Sequence, residues 1–331
     1  MKIQIREGSS AKNFEALYPL IDKYPDSCMF CSDDLHPDDL LRGHINLLVK
    51  CSIAKGLNLW NVLQVASLNP KKHYNLEHGL LRVGDSADFI EVDNLIDFNI
   101  IKTYIRGSVV STNQTSMVEF QKERAINFFE ADFISIESLK MRNHNSKIRV
   151  IKAIDGELIT KEVWEEPTIQ DDLIISDTSR DILKIVVLNR YQKDSRPSID
   201  FIEGFGIQKG AIASTIAHDS HNIIAVGVDD RSIAKAINLL IEQKGGISAV
   251  YEDQSELLPL EIAGLMSQKE GVEIAKAYQK LDNIIKTQMN STLKAPYMTL
   301  SFMALLVIPE IKMSDKGLFS ARGFRFVSRY V

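Results

Sequence analysis

The chain has 331 residues, of which 45% are hydrophobic and 25% charged, the balance of a globular protein with two or three domains. Its net charge of -5, with acidic and basic residues interspersed, provides no basic face for phosphate backbones, so we expect a small-molecule partner and no nucleic acid. No apolar run reaches the roughly 18 residues of a membrane span, and no apolar core follows the charges near Met1. The sequence therefore predicts a cytoplasmic protein with no membrane partner.

Residues 1–75 have the pattern of two strand-loop-helix units. The predicted elements are a strand at 2–5, a helix through 20 capped by Ser10, a strand at 28–31, a helix at 40–49 and a helix near 59–68 that ends at Asn69-Pro70. Two consecutive units of this kind predict a parallel sheet or barrel.

Three cysteines in a long chain indicate reduced thiols and not a disulfide framework. Cys28 and Cys31 form a single Cys-x-x-Cys, which is a weak metal signal without a second pair. The alternative is that both flank Met29 and Phe30 on a buried strand, because free cysteine commonly behaves as a small core residue.

The middle of the chain changes period from helical to alternating. Residues 76–115 predict a small β-element, with strands through 80–92, 100–105 and 108–110 and a turn at Arg106-Gly107. Residues 116–145 are charged and carry aromatic side chains, and we expect a helical connector there; the aromatic residues are Phe120, Phe128, Phe129 and Phe133.

Residues 146–331 predict a separate α+β domain. Strands are expected from Ile148, at 181–187, at 211–217 and, as the return strand of a hairpin, at 223–227, before a helix capped by Asp229 or Asp230. Gly204-Phe205-Gly206 resembles part of a nucleotide-binding loop, but it lacks the third glycine and the lysine that such a loop requires.

A polar run follows the second predicted strand and includes Asp33, Asp34 and His36. A buried strand that ends in Ser-Asp and opens onto a helix is typical of the catalytic rim of a (β/α)-barrel. The alternative is that Asp33 is a capping or loop aspartate. Glu7 and Ser9 follow the preceding strand and point to the same rim, unless they cap the next helix.

His218, Asp219 and His221 form a second group, at the tip of the predicted hairpin. Imidazole and carboxylate groups suit zinc or manganese, or the tip could close over a ligand. The alternative is a turn in which Asp219, Ser220 and Asn222 bond to the backbone while the histidines remain solvated.

Motifs distributed over nearly the whole chain resemble the adenine deaminases of the amidohydrolase superfamily. They are Ile5-Arg6-Glu7-Gly8-Ser9-Ser10-Ala11, Ser32-Asp33-Asp34-Leu35-His36-Pro37, Gly84-Asp85-Ser86-Ala87-Asp88-Phe89, Ala217-His218-Asp219-Ser220-His221-Asn222, Leu258-Pro259-Leu260-Glu261-Ile262-Ala263-Gly264 and Met298-Thr299-Leu300-Ser301-Phe302-Met303.

The resemblance implies an α/β part followed by an α+β domain. Residues 1–75 would be the end of a TIM-type barrel, about strands seven and eight, and residues 76–115 a small composite β-element. The implied reaction is hydrolysis of adenine to hypoxanthine and ammonia, in purine salvage. A divalent metal would lower the pKa of its bound water, with Mn²⁺ expected and Fe²⁺ or Zn²⁺ as alternatives.

By this resemblance Asp33 is the metal ligand and proton shuttle, and the substrate-pocket candidates are Glu7, Ser9, Asp34, His36, His218, Asp219 and His221. The His-x-His pair and the other ligands of the family lie upstream of the position of Met1, and this sequence contains no His-x-His. We therefore expect that this chain alone does not hold the metal.

Two hypotheses about the function remain, one for an enzyme and one for a non-catalytic protein. In the first, the chain is part of an adenine deaminase whose missing barrel strands come from another polypeptide or were lost through a frame or start-site problem. In the second, it is an inactive truncated product whose last domain acts as an oligomerisation or ligand-binding module. Two barrel strands alone leave hydrophobic edges open, so we expect a homo-oligomer or a poorly soluble chain.

Overall fold

The computed structural model describes residues 1–9, 11–119, 121–122 and 124–330. The predicted cap Ser10 and the connector residue Phe120 lie outside these ranges. The chain divides into two compact units, Met1–Lys122 and Glu123–Val331. Across the described ranges, no helix has the length and apolar character needed to cross a membrane.

The first unit begins with two strands, each followed by short helices. The elements are β1 (Ile3–Arg6), α1 (Phe14–Leu17), α2 (Leu20–Lys23), β2 (Cys28–Cys31), α3 (Pro37–Leu40), α4 (Ile45–Ala54), α5 (Leu59–Leu63) and α6 (Asn69–Tyr74). A 3-10 turn at Pro25–Ser27 leads into β2.

β1 and β2 pair in parallel, with Ile3 opposite Cys28 and Arg6 opposite Cys31, so the predicted parallel pairing is confirmed. Cys28, Met29 and Phe30 are buried, because the strand lies between helices that cover it, and both cysteines are free thiols. This burial supports the core interpretation for Cys28, whereas Cys31, at the end of the strand, is partly exposed.

The prediction that a helix ends at Asn69-Pro70 is wrong. The helix continues from α5 through a π-helical turn, Gln64–Leu68, into α6, and Asn75 ends it in the left-handed conformation. Proline lacks an N–H donor, and a π-turn before it changes the hydrogen-bond register so that the helix continues past the proline. The buried Asn69 amide also donates to the carbonyls of Pro25 and Cys28, which holds this segment against β2.

The rest of the first unit is the predicted small β-element. It is an antiparallel sheet in the order β3-β4-β5-β6, formed by β3 (Phe89–Val92), β4 (Ile100–Ile105), β5 (Ser108–Thr112) and β6 (Thr115–Ser116). Arg106-Gly107 makes the predicted turn between β4 and β5, with both residues at positive φ.

The second unit is built on an eight-stranded mixed sheet in the order β16-β15-β13-β14-β11-β12-β7-β8. Its elements are β7 (Ile148–Ala153), β8 (Thr160–Glu165), β9 (Thr168–Gln170), β10 (Leu173–Ile175), β11 (Ile182–Leu188), β12 (Ser198–Glu203), β13 (Ala211–Ser214), β14 (Ile223–Gly227), α7 (Asp230–Gln243), β15 (Gly246–Tyr251), β16 (Gln254–Pro259), α8 (Gly271–Thr287), α9 (Pro296–Phe302), β17 (Ile311–Ser314), β18 (Gly317–Ser320) and β19 (Arg325–Phe326).

Both faces of this sheet are covered. Alternate residues of β11 contribute to two separate cores, one shared with α7 and the other with α8 and α9. All of β11 is buried, as expected for a strand packed on both faces. The predicted hairpin is confirmed, since β13 pairs antiparallel with β14, and Asp229 is the residue that caps α7 by accepting from the Ser232 N–H.

The predicted helical connector is wrong for the described residues of 116–145. Apart from a 3-10 turn at Ile136–Leu139, no helix forms there. The N–H groups of Glu130 and Ala131 donate to the Arg190 carbonyl, and the Asn238 side chain bonds both backbone groups of Ile134. These tertiary bonds replace helical ones in a segment whose aromatic residues are weak helix formers.

Candidate functional site

The polar loops that follow β1 and β2 lie side by side in the first unit. The strands are parallel, and the Glu7 N–H donates to the Cys31 carbonyl at 3.3 Å, which extends their pairing to the loops. Parallel strands bring their carboxyl ends to one edge, so the loops of Glu7, Ser9, Asp33, Asp34 and His36 meet there. The sequence-predicted rim is thus assembled from residues that are about 25 positions apart in the chain.

Asp33 is held by an ion pair and does not cap a helix. Its Oδ2 atom lies 2.8 Å from Nη1 of Arg6, at the end of the neighbouring strand. The helix that follows begins at Pro37, with His36 at its N-cap and no side-chain cap bond. The Asp33 side chain is 36% exposed and its backbone is left-handed, at φ 47°. The carboxylate therefore stands at the open edge of the strands with a cation beside it.

Ser9 links the two rim loops. Its Oγ donates to Asp39 Oδ2 at 2.6 Å and accepts the N–H of His36 at 3.0 Å. Asp39 also pairs with Arg42, at 3.1 Å from its Oδ1. The Ser9 hydroxyl is thus engaged in hydrogen bonds within the chain. The sequence position of Asp39 predicts only a favourable negative charge at a helix N-terminus, but Asp39 also binds Ser9 and Arg42.

Asp34 makes a second link between the loops. Its carboxylate accepts the Ala11 N–H, at 3.1 Å from Oδ1 and 3.2 Å from Oδ2. A Cβ atom on Gly8 would lie 1.8 Å from Asp34 Oδ1, so the carboxylate reaches Ala11 only because residue 8 has no side chain. Glu7 pairs with Lys12 at 2.9 Å across the same turn. The turn after β1 is fixed by both carboxylates.

A small cleft of about 170 Å³ opens beside these loops. Its polar lining comes from both rim loops and from α3 and its flanking turn; the residues are Glu7, Lys12, Ser32, Asp39, Arg42 and His44. A cleft with several convergent charged groups beside the carboxyl ends of strands is a reasonable place for a small polar ligand.

The residues present do not by themselves fit a divalent metal. Within the described ranges, no three His, Cys, Asp or Glu side chains are grouped so that they could hold a metal ion. Catalytic metal sites need about three protein ligands, whereas the rim offers Asp33 with a guanidinium already beside it.

The second group of candidates lies in the other unit, on the loop between β13 and β14. The rings of His218 and His221 are 5.8 Å apart, and His218 stacks on Phe302 at 5.0 Å. Asp219 projects outward, with its side chain 80% exposed and its Oδ1 3.8 Å from the His218 Nδ1. The histidines therefore pack within the unit and are not simply solvated.

His221 is partly buried, and its Nδ1 atom is buried without a hydrogen-bond partner. Burial lowers the pKa of His221, and the positive charges of His218 and Arg190 lower it further. The neutral imidazole is thus favoured near pH 7. Asn222, beside it, is buried and accepts the Arg190 N–H at 3.4 Å, which is a long-range bond and not the local turn bond of the turn interpretation.

Gly204 and Gly206 bind a carboxylate of the chain and not a nucleotide. Their N–H groups donate to Asp181, at 2.9 Å to Oδ2 and 2.8 Å to Oδ1. Burial nevertheless raises the pKa of Asp181. This loop is a structural contact.

Sequence reasoning missed two arginines, of which one pairs with a candidate residue and the other exerts its charge on one. Arg6 pairs with Asp33, and Arg190 is 3% exposed near His221, where its Nη2 donates to the Ala263 carbonyl at 2.7 Å. Arg6 belongs to the same motif as Glu7 and Ser9, so a pairing of opposite charges at the two strand ends was a signal that could have identified it.

Two family matches agree with this geometry. Residues 2–110, which include the rim residues, match the family described as "Amidohydrolase family". This match gives the class of the first unit, which is that of the amidohydrolases. Residues 157–325, about half of the chain, match the family described as "Adenine deaminase C-terminal domain". The chain therefore belongs to the adenine deaminase family, and the resemblance seen in its motifs is confirmed.

Curated relatives match along the chain. An adenine deaminase of Sulfurovum sp. (strain NBC37-1) is 52% identical over 99% of this chain and 60% of the relative. Adenine deaminases of Salinibacter ruber and Methanosarcina mazei are 45% and 49% identical over 100% of this chain and 61% of each relative. The chain spans about 60% of the length of the curated relatives it matches.

Proposed function

We propose that this chain supplies the last barrel strands, the catalytic rim and the C-terminal domain of an adenine deaminase, which hydrolyses adenine to hypoxanthine and ammonia. The observation that carries the proposal is the position of Asp33. It stands at the carboxyl end of the second of two parallel strands, in a chain whose similar relatives bear the name adenine deaminase. These names favour the enzyme over an inactive truncated product.

In this proposal β1 and β2 are strands seven and eight of a TIM-type barrel. Their parallel pairing and the helices that follow each of them support it. Among the described residues the two strands pair with each other and with no third strand. A closed barrel pairs every edge, so the remaining strands would lie outside these residues. We propose that a separate polypeptide can supply them.

Asp33 has the chemistry that deamination requires. Water adds to the purine carbon that bears the amino group, one proton of the water passes to the amino nitrogen, and ammonia leaves. A carboxylate that reaches both atoms can accept that proton and then deliver it. Asp33 is partly exposed at the rim, which leaves it accessible to a substrate.

The family implies a divalent metal, for which we propose Mn²⁺, with Fe²⁺ and Zn²⁺ as alternatives. Asp33 would be one of its ligands, and the others would come from the separate polypeptide. We also propose that the enzyme works in purine salvage in the cytoplasm and that the chain forms a homo-oligomer.

We propose different roles for the candidate residues of the substrate pocket. Ser9 and Asp34 shape the rim through their bonds to His36 and Ala11, and Glu7 faces the cleft. In the C-terminal unit, the loop of His218, Asp219 and His221 is proposed as a ligand-facing loop, because an unpartnered, buried imidazole nitrogen remains there.

The test is release of ammonia from adenine in the presence of Mn²⁺. The chain is assayed alone and after co-expression with the amino-terminal part of a similar adenine deaminase. We expect turnover from the combination only, and a loss of about 10²–10⁴-fold with Asp33→Asn.

Asp97→Asn is the matched control, because Asp97 pairs with Lys50 at 3.5 Å on the surface of the same unit. This variant should keep full turnover. Deamination by the isolated chain, or full activity of Asp33→Asn in the combination, contradicts the proposal.

A further inference from the structure

A shallow groove of about 440 Å³ runs along α7 in the second unit, beside the chain segment 133–136. The helix side of the groove comes from positions three or four residues apart, which is the spacing of one helix face. These positions are Arg231, Ala234, Lys235, Asn238, Leu239 and Glu242. Together with residues 133–136 they define a surface that we call the α7 groove.

The α7 groove has an apolar part that is open to solvent. Phe133 is 66% exposed and Ile136 is 43% exposed, although both side chains are large and hydrophobic, and Leu239 is half-buried in the same groove. The segment beside the helix is fixed in place, because the Asn238 side chain bonds both backbone groups of Ile134. A partner that removed this apolar surface from water would be stabilised by doing so.

The charged side chains of the α7 groove have opposite signs towards its two ends. Arg231 and Lys235 lie in the first half of α7, and Glu242 follows Lys235 by seven residues, or about 10 Å along the helix. All three side chains are exposed. Among the described residues none of the three has an ion-pair partner, and the Lys235 ammonium donates to the Asp253 carbonyl at 3.4 Å. These charges are therefore available to a partner.

We propose that the α7 groove is the surface through which two copies of this chain associate, with their α7 helices antiparallel across a two-fold axis. Lys235 and Glu242 are equally far from the point between Asn238 and Leu239. A two-fold axis at that point brings Lys235 of each copy to Glu242 of the other. The Leu239 side chains then meet near the axis, with the exposed apolar residues of the segment 133–136 beside them.

The physical reason for choosing a second copy is that the groove is complementary to itself. A two-fold contact uses the same patch on both subunits, so the patch must match itself after half a turn. A groove with a cation towards one end, an anion towards the other and an apolar part meets this condition, whereas a groove of one sign would repel its copy. The inference names the surface of the proposed homo-oligomer and rests on that proposal.

The experiment is sedimentation equilibrium of the whole chain, which measures the dissociation constant of the dimer. Lys235→Glu places two carboxylates together at both symmetric positions, and Glu242→Lys places two ammonium groups there. Each change is expected to weaken the dimer about tenfold, since two ion pairs are replaced by two repulsive pairs. The double variant re-forms both pairs in reversed order and should return to within about threefold of the unaltered chain.

Lys276→Glu is the matched control, because Lys276 is exposed on α8 and the substitution changes the net charge by the same amount. It should leave the dissociation constant within about twofold of the unaltered chain. Thermal unfolding checks that each variant is folded. If Lys235→Glu is not folded, Lys235→Gln replaces it and should weaken the dimer about threefold.

The proposal is overturned if the charge-reversed variants associate as tightly as the unaltered chain, or if the double variant fails to regain affinity. In the first case the homo-oligomer stands and its interface lies elsewhere. A loss seen only in binding to the separate polypeptide would assign the groove to that partner and would also overturn the proposal. The measurement contains no adenine, so its outcome and that of the deamination test are independent.

Discussion

The Nζ atom of Lys184 lies 2.5 Å from Oδ1 of Asp230, which joins the middle of β11 to the first turn of α7. Lys184 is 2% exposed, and its ammonium also donates to the Leu139 carbonyl at 3.0 Å. One buried cation therefore connects a sheet strand, a helix and the 3-10 turn of the preceding segment. Replacing Lys184 and replacing Asp230 should therefore lower the free energy of unfolding by different amounts.

We expect Asp230→Ala to lower the free energy of unfolding by about 3 kcal/mol, because it leaves the buried Lys184 ammonium without a counter-charge. Lys184→Met should cost only about 1 kcal/mol, since the remaining carboxylate is partly exposed and lies at a helix N-terminus, where negative charge is favourable. Guanidinium chloride denaturation of both variants measures the difference. Equal losses would show that the ammonium finds another partner.

At the rim, Gly8 and Asp34 should be energetically coupled. Gly8→Ala should destabilise the chain by about 1–3 kcal/mol, because the new Cβ would displace the Asp34 carboxylate from the Ala11 N–H. In an Asp34→Ala background, the same change should cost markedly less. A double-mutant cycle by urea denaturation tests this.

Gly271→Ala is the control for that cycle, because its added Cβ would have no atom within 4 Å apart from its chain neighbours and its own helix backbone. It should be close to neutral in both backgrounds. Additive losses from Gly8→Ala and Asp34→Ala would mean that the predicted steric conflict is relieved elsewhere.

Lys312 should make stability depend on pH. It is fully buried, its Nζ donates to the Leu158 carbonyl at 2.6 Å, and burial lowers its pKa from 10.5 to about 7. The unfolded chain binds the proton more tightly, so stability should rise as the pH increases from about 7 to 10.5 and should be lowest below pH 7.

Lys312→Met should flatten this dependence and raise stability near pH 6 by up to about 3 kcal/mol, with a smaller gain at pH 9. Chemical denaturation at several pH values measures it. A parallel pH profile in both proteins would indicate that the ammonium remains charged in the fold.

Asn238 should hold the irregular segment around Ile134, which lies where the connector helix was predicted. Its Nδ2 donates to the Ile134 carbonyl, and its Oδ1 accepts the Ile134 N–H, both at 2.9 Å. Asn238→Leu should cost about 2 kcal/mol, since it removes two bonds, and should speed hydrogen exchange at Ile134. Asn283→Leu, on the exposed part of α8, is a control that should leave this exchange unchanged.

The strand-loop-helix order of the first unit, the small β-element and the hairpin of the second were readable from the sequence. Their signals are local, because the period of apolar residues and the turn residues lie within each element. Asp33 was chosen as a candidate by its place after a buried strand and by the family motifs, and its role stays a prediction. By contrast, the helix end predicted from Pro70 is wrong, because a π-turn before the proline shifts the helical hydrogen bonds.

The sequence by itself determined the two strand-loop-helix units, the small β-element, the hairpin and the family that the motifs indicate, since these depend on residues close together in the chain. Only the tertiary structure decided that Arg6 pairs with Asp33, that Gly8 admits the Asp34 carboxylate and that residues 124–135 form no helix. Each of these depends on backbone or side-chain partners far apart in sequence. Local periodicity cannot specify such partners, because they meet only when the strands and helices pack.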